Sequence, residues 1–158
     1  MNESKSKPRI AIGADHAGFH VKEKVREYLT SAGYAVDDLG TRSEESVDYP
    51  DFARETAQRV ANGGDDLGIL VCGTGIGMAI TANKVPGIRA AVVHDNETAR
   101  LAKEHNDANV LTFGGRTVSP DKAIAIVKEF LAAQFAGGRH ERRIEKIAQL
   151  DQAKGPKR

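Results

Sequence analysis

The sequence holds a single cysteine, Cys72, among 158 residues. One thiol cannot close an intramolecular disulfide, which excludes the cross-linked architectures of small secreted domains. Neither sign of charge is in excess: 23 Lys and Arg face 22 Asp and Glu, for a formal net charge of +1. Extended polyanions are recognised through a surplus of basic side chains, so nucleic acid is not an expected partner. No apolar run approaches the roughly 20 residues needed to cross a bilayer, which argues against a membrane partner. The opening segment, residues 1–8, is polar and lysine-bearing and lacks the apolar stretch of a signal peptide. These absences set the expectation of a cytoplasmic enzyme or binding protein. The length fits one domain, able to bury roughly two-thirds of the surface its unfolded chain exposes.

What is present is a regular alternation. Residues 9–13 are a short apolar run closing on glycine, and residues 18–32 follow with Val21, Val25, Tyr28 and Leu29 on one helical face. A second short strand is expected over 34–38. The polar segment 40–48 leads through Pro50 into a helix over about 51–61, ended by Asn62-Gly63-Gly64. Residues 67–71 are nearly all apolar, which suits a strand covered on both faces at the middle of a sheet. A helix over about 75–84, a strand over 89–93, a helix over about 97–106 and a strand over 109–113 continue the pattern. Ser119 and Pro120 have the form of an N-cap with proline in the first turn, opening a helix to about Gln134, and Gly137-Gly138 sets off a last helix.

Alternation at this spacing predicts a three-layer α/β/α sandwich. Its centre is a five-stranded parallel, doubly wound, Rossmann-like sheet with right-handed crossovers, and a C-terminal helix follows. In such sheets ligands bind at the carboxyl ends of the strands, near a switch in strand order. The expected organisation is a flexible N-terminus over 1–8, one domain over 9–150 and a flexible tail over 151–158.

The strongest local signal is Leu70-Val71-Cys72-Gly73-Thr74-Gly75-Ile76-Gly77-Met78, where a buried strand stops at a thiol and glycines open a helix. Glycines let successive backbone N–H groups converge, and the helix N-terminus adds partial positive charge, so the loop can hold an anion. It is not a nucleotide fingerprint. Met78 stands where a dinucleotide-binding loop needs its last glycine, and no Gly-Lys-Ser or Gly-Lys-Thr follows. Free cysteine is often only a small buried hydrophobe. At a strand end facing a helix N-terminus, however, its thiolate is stabilised and Cys72 can act as a base.

Gly13-Ala14-Asp15-His16-Ala17-Gly18 puts two ionisable groups just beyond the first strand. Asp15 can contact a ligand or simply cap the next helix, and His16 can do the former or stand in solvent. His105-Asn106 ends the helix before the fifth strand, with Arg116 beyond that strand. A helix C-terminus favours a charged imidazole, so a structural His105 is equally compatible. His94, after the fourth strand, is the weaker candidate. In the last helix a four-residue interval sets Arg139 and Arg143 on one face. Two guanidinium forks there suit a phosphate, although Glu141 and Glu145 would also balance a solvated basic helix.

Taken together, the segment Gly13 to Gly18, the loop Cys72-Gly73-Thr74-Gly75-Ile76-Gly77, the run His105-Asn106-Asp107-Ala108-Asn109-Val110-Leu111 and Gly138-Arg139-His140-Glu141-Arg142-Arg143 closely resemble, in order and spacing, the type B ribose-5-phosphate isomerases. This family includes galactose-6-phosphate isomerase subunits and isomerases of shorter sugar phosphates, and the resemblance runs from Pro8 to Leu150. It implies that Cys72 is the base shuttling a proton between C1 and C2, a task some relatives give to a glutamate located elsewhere. Ala79 stands where that glutamate is expected. Gly73, Thr74, Gly75, Ile76 and Gly77 would supply backbone donors to the enediolate oxygen, and Asp15 and His16 would contact the substrate. His105 would be the acid that opens the furanose ring, Asn106 a substrate ligand, and Arg116, Arg139 and Arg143 phosphate contacts. Arg142 matches no family contact and is expected in solvent.

The resemblance further implies no metal, no organic cofactor and a site built between two subunits, hence a homodimer or a dimer of dimers. The last helix is compatible, because Ile144, Ile147 and Leu150 form an apolar stripe that a partner, or the chain itself, must cover. The implied reaction interconverts ribose 5-phosphate and ribulose 5-phosphate. Two readings stand beside it. One keeps the chemistry on galactose or allose 6-phosphate or a four-carbon sugar phosphate, with residues 41–49 in the pocket wall; the other is a flavodoxin-like module that binds a phosphosugar without converting it.

Overall fold

The computed structural model describes residues 6–151. The five strands are β1 (Ile10–Ala14), β2 (Val36–Asp38), β3 (Leu67–Cys72), β4 (Ala90–Val92) and β5 (Val110–Gly114). The six helices are α1 (Phe19–Ser31), α2 (Tyr49–Ala61), α3 (Ile76–Ala82), α4 (Asn96–Asn106), α5 (Pro120–Ala132) and α6 (Arg139–Leu150). All strand pairs are parallel and run in the order β2-β1-β3-β5-β4. The expected three-layer sandwich is thus the observed fold, with the apolar strand β3 at its centre. Among the described residues no helix is long and apolar enough to cross a membrane.

Strand order decides which face each helix covers. The chain steps outward from β1 to β2, returns past β1 to β3, continues to β4 and steps back to β5. Right-handed crossovers require helices travelling in opposite directions to lie on opposite faces. Two separate cores follow. Val21, Val25 and Leu29 of α1, Ala99 and Ala102 of α4, and Ile126, Val127 and Phe130 of α5 pack with Ile12, Ile69 and Phe113 on one face. Ala53, Ala57 and Val60 of α2 and Met78 and Ala82 of α3 pack with Leu70, Cys72 and Val110 on the other.

Boundaries depart from expectation where a side chain or turn offers a better partner than the ladder. Strand β2 starts at Val36 because Gly33, at φ +90°, turns the chain and Tyr34 donates its N–H to Leu29 O at 3.0 Å, closing α1. Helix α2 begins at Tyr49, two residues earlier than expected, with Pro50 in its first turn where a missing N–H costs nothing. Helix α3 stops at Ala82; Asn83 then pairs both amide atoms with Ala90 of edge strand β4, at 2.9 and 2.8 Å. Of the segments expected to be flexible, residues 1–5 and 152–158 lie outside the described region. Lys7 donates to Ala32 O and lies over the Tyr34 ring, while Asp151 accepts from Gly87 N at 2.8 Å.

The β1–β3 register pairs Ala14 with Val71, and the β3–β5 register pairs Cys72 with Gly114. The three central strands therefore end level, and the residues after them emerge side by side. The switch in chain direction between β1 and β3 opens there, as expected for a ligand crevice in an open sheet.

Candidate active site

Cys72 is the last residue of β3 and only 4% exposed. Its Sγ accepts the N–H of Gly75 at 3.1 Å. Gly75 holds φ +81°, and a Cβ there would lie 2.7 Å from the Phe113 backbone. Only glycine reaches this conformation at this approach without strain. Thr112 Oγ1 donates to Gly75 O at 2.8 Å, and Ile76 N–H donates to Thr74 Oγ1 at 3.3 Å, so the loop is tied to β5 on one side and to itself on the other. A sulfur that takes a backbone N–H at a helix start is placed to carry negative charge.

The loops after β1 and β5 close on this one. Asp15 donates its backbone N–H to Val71 O at 3.2 Å, and its Oδ1 accepts the Gly18 N–H at 3.0 Å. Asp15 thus holds the turn into α1 with one oxygen while also lining the cavity. His16 Nδ1 lies 3.2 Å from both the N and the O of Val47, which fixes the ring. Beyond β5, Gly115 N–H donates to Cys72 O at 2.7 Å and Arg116 N–H to Gly73 O at 3.1 Å. The Arg116 side chain lies against Gly73, where a Cβ would come within 3.3 Å of its Nη1.

The resulting cavity, of about 500 Å³, is lined by Asp15, His16 and Arg116, by Cys72, Gly73, Thr74, Ile76 and Gly77 of the loop, and by Ala17, Tyr49 and Ile80. That volume suits a small polar metabolite. Gly75 lies buried beneath the loop and does not line it. Segment 41–49 contributes as expected: Ser46, Val47 and Tyr49 line an adjoining hollow that also touches Asp15 and His16. The lining residues outside the expected set are Ala17 and Ile80, for which the sequence carried no signal. Tyr49 belongs to the expected wall segment, and its ring packs on Gly77, where a Cβ would stand 2.5 Å from Cζ. Ile76 and Ile80 leave an apolar rim, 50% and 60% exposed.

The other expected residues lie elsewhere on the chain. His105 and Asn106 form the last turn of α4, and neither they nor Arg139 and Arg143 of α6 line the cavity. Arg89 donates to Asn106 O at 3.0 Å and to Asp107 O at 2.8 Å, satisfying carbonyls at that helix end. The His105 and His140 rings stack with centroids 4.3 Å apart and planes 12° apart. Burial beside this ring, with the charges of His105, Arg139 and Arg143, pulls the His140 imidazole below its ordinary value. Arg139, Arg142 and Arg143 are exposed, as are Ile147 and Leu150, the latter at 71%. His94 is exposed and its backbone N–H donates to Thr98 Oγ1 at 3.3 Å. No group of three or more His, Cys, Asp or Glu among the described residues could hold a metal ion.

Comparison with known proteins places these features in context. The family model described as Ribose/Galactose Isomerase matches residues 10–147. Ribose-5-phosphate isomerase B of Escherichia coli K12 is 47% identical over 144 residues, covering 91% of this chain and 97% of that protein. The solved ribose-5-phosphate isomerase B of Clostridium thermocellum superposes with a TM-score of 0.90 at 49% identity, covering 91% of this chain and 97% of its own. The Mycoplasma genitalium enzyme, solved with bound ribulose-5-phosphate, superposes with a TM-score of 0.88 at 44% identity, covering 92% and 97% of the two chains.

Proposed function

Because the chain belongs to the ribose/galactose isomerase family, we propose that it interconverts ribose 5-phosphate and ribulose 5-phosphate without a cofactor, using Cys72 as the base. The observation that carries this reading is the position of the thiol. It stands level with the ends of β1 and β5, takes the Gly75 N–H, and faces a cavity that also holds Asp15, His16 and Arg116. A base and anion-stabilising donors on one wall, with an acid, an imidazole and a guanidinium on the others, are what an enediolate route requires.

Ribose 5-phosphate is largely a closed ring, so a proton donor must first release the ring oxygen. An imidazole is the side chain suited to proton donation at neutral pH, and His105 takes this role. Cys72 then removes the C2 proton as thiolate and returns it to C1, while the developing oxyanion is held by the backbone of the loop residues that line the cavity, Gly73, Thr74, Ile76 and Gly77. General base catalysis contributes on the order of 10²–10⁴-fold, and each well-placed oxyanion donor on the order of 10²–10³-fold. The phosphate is held by Arg116, Arg139 and Arg143, with Asn106 on a sugar oxygen, which fixes the reacting end.

Cys72 and His105 serve different walls, and His105 lies outside the cavity of its own chain. A second copy completes the site by bringing His105, Asn106 and the α6 arginines over the Ile76–Ile80 rim. The exposed apolar residues of the rim and of α6, Ile147 and Leu150, are the surfaces such a homodimer would cover. A free thiol that must stay reduced suits a cytoplasmic setting.

Steady-state turnover of ribose 5-phosphate against galactose 6-phosphate, allose 6-phosphate and a four-carbon sugar phosphate tests the substrate. The five-carbon sugar is expected to give the highest kcat/KM, and a higher value for another overturns that part. Deuterium from solvent is expected at the carbon beside the carbonyl, and binding without exchange would leave only a phosphosugar-binding module.

A further inference from the structure

Among the described residues, Lys22 is the largest side chain that is fully buried. Its Nζ donates to Asp38 Oδ1 at 2.8 Å and Glu23 Oε1 at 3.0 Å, and lies 5.5 Å from the Phe19 ring centroid. Taking a lysine out of water is costly, and an ion pair of this kind adds little stability over apolar packing of similar volume. Folding alone therefore does not account for a cation at this position. What the charge does for its partner is more specific.

Asp38 is the last residue of β2, and the same Oδ1 that takes Lys22 also accepts the Gly40 N–H at 3.0 Å. Gly40 O in turn accepts Ala14 N–H at 2.8 Å, and Thr41 N–H donates to Ala14 O at 2.8 Å. Residues 40–41 thereby stay locked to the end of β1 after β2 itself has ended. Two arms leave this junction. One is Asp15-His16; the other is segment 42–48, which runs to Tyr49 and presents Val47 to His16 Nδ1. Both arms line the cavity or its adjoining hollow.

We infer that Lys22 is a positioning residue for the substrate wall made by Asp15, His16 and Tyr49, acting through the Asp38 carboxylate and the Gly40–Thr41 junction. Without Lys22, Asp38 keeps Arg26 Nε at 3.8 Å and Arg42 Nη1 at 4.0 Å, both on its other oxygen toward the surface. The carboxylate then turns outward, Gly40 N–H is released, and the two arms lose their common anchor. The inference rests on the proposed reaction for its kinetic consequence but not for its structural one.

The test compares Lys22→Met, Asp38→Ala and the double variant Lys22→Met/Asp38→Asn in the full-length protein. Lys22→Met is expected to raise KM for ribose 5-phosphate about tenfold or more with kcat held within about threefold, the pattern of a lost binding wall. The ¹⁵N signals of His16 are expected to move in the ligand-free protein, because Val47 withdraws from Nδ1. In the double variant, the neutral side-chain amide that replaces the carboxylate can still accept the Gly40 N–H without needing a cation, so KM and the His16 signals return toward their original values. Asp38→Ala, which keeps the Lys22–Glu23 pair, should reproduce both changes and serves if Lys22→Met does not fold. A Lys22→Met or Asp38→Ala protein with unchanged KM and unchanged His16 signals overturns the inference, whatever happens to its melting temperature, as does a double variant that keeps the KM defect. The His16 signals need no turnover, so a failure of the isomerase assignment is distinguishable from a failure of this one.

Discussion

Gly75 and Gly87 provide a matched pair of perturbations. Both hold positive φ, +81° and +87°, but a Cβ at Gly87 would meet nothing within 4 Å while one at Gly75 would stand 2.7 Å from Phe113 Cα and carbonyl carbon. Replacing Gly87 by alanine therefore carries only the left-handed backbone cost, about 1–2 kcal/mol. Gly75→Ala carries that cost plus an overlap with the backbone of β5, well inside the 3.4 Å at which ordinary contact begins. A strand buried under both helical layers cannot move aside, and overpacking of this kind costs typically about 1–3 kcal/mol more. The loop can escape only by shifting as a unit, which takes the Gly75 N–H away from Cys72 Sγ and misaligns the donors around it. Denaturant unfolding should place Gly75→Ala about 1–3 kcal/mol below Gly87→Ala. Where the loop shifts instead of absorbing the strain, steady-state turnover should fall about 10²–10³-fold, the worth of an oxyanion donor. Equal stability of the two variants, together with turnover of Gly75→Ala within a few-fold of the unsubstituted protein, would refute the account of the loop as a rigid donor cradle.

Other consequences are as direct. Cys72→Ala should lose at least about 10²-fold in kcat while KM changes little, and a variant keeping most of its turnover would remove the thiol as base. Mixing equal amounts of Cys72→Ala and His105→Asn chains under conditions of subunit exchange should restore about a quarter of full activity, since half the dimers become mixed and each carries one intact site; no recovery would place the whole site in one chain. Glu23 is held down to about 2 from its ordinary 4.5, chiefly by its hydrogen bond from Arg26 and also by Lys22, against the effect of burial. A lowered pKa contributes stability that is present above pH 4.5 and is lost as pH falls toward 2. The full gap corresponds to about 3 kcal/mol, but partial exposure of the pair screens it, so Glu23→Gln should cost about 1–2 kcal/mol at neutral pH. Urea unfolding at a series of pH values should show that difference shrinking below about pH 4, and a constant difference would contradict it.

How much of this could be read beforehand depended on whether the signal was local. The apolar run of β3 placed that strand at the centre, and the glycines after Cys72 marked the loop, because burial and positive φ leave their trace at the residues concerned. The order of β4 and β5 left none, since periodicity is the same whichever of the two lies at the edge; the choice is made by the direction of a crossover and by the Asn83 amide that seals the outer edge at Ala90. Tyr49 was legible as part of a wall but not as a ring on Gly77, because the contact joins α2 to α3 across 28 positions of sequence. Lys22 is the clearest case. It shares a helical stripe with Val25 and Leu29, and by pattern alone a lysine there is an interruption of the apolar face. The residue that makes its burial tolerable, Asp38, belongs to strand β2 and is recognisable as a partner only once β2 lies beside β1. Features specified by pairing across the fold, rather than by spacing along it, are the ones the sequence withholds. In this protein they include the junction that holds Asp15 and His16 in the cavity wall.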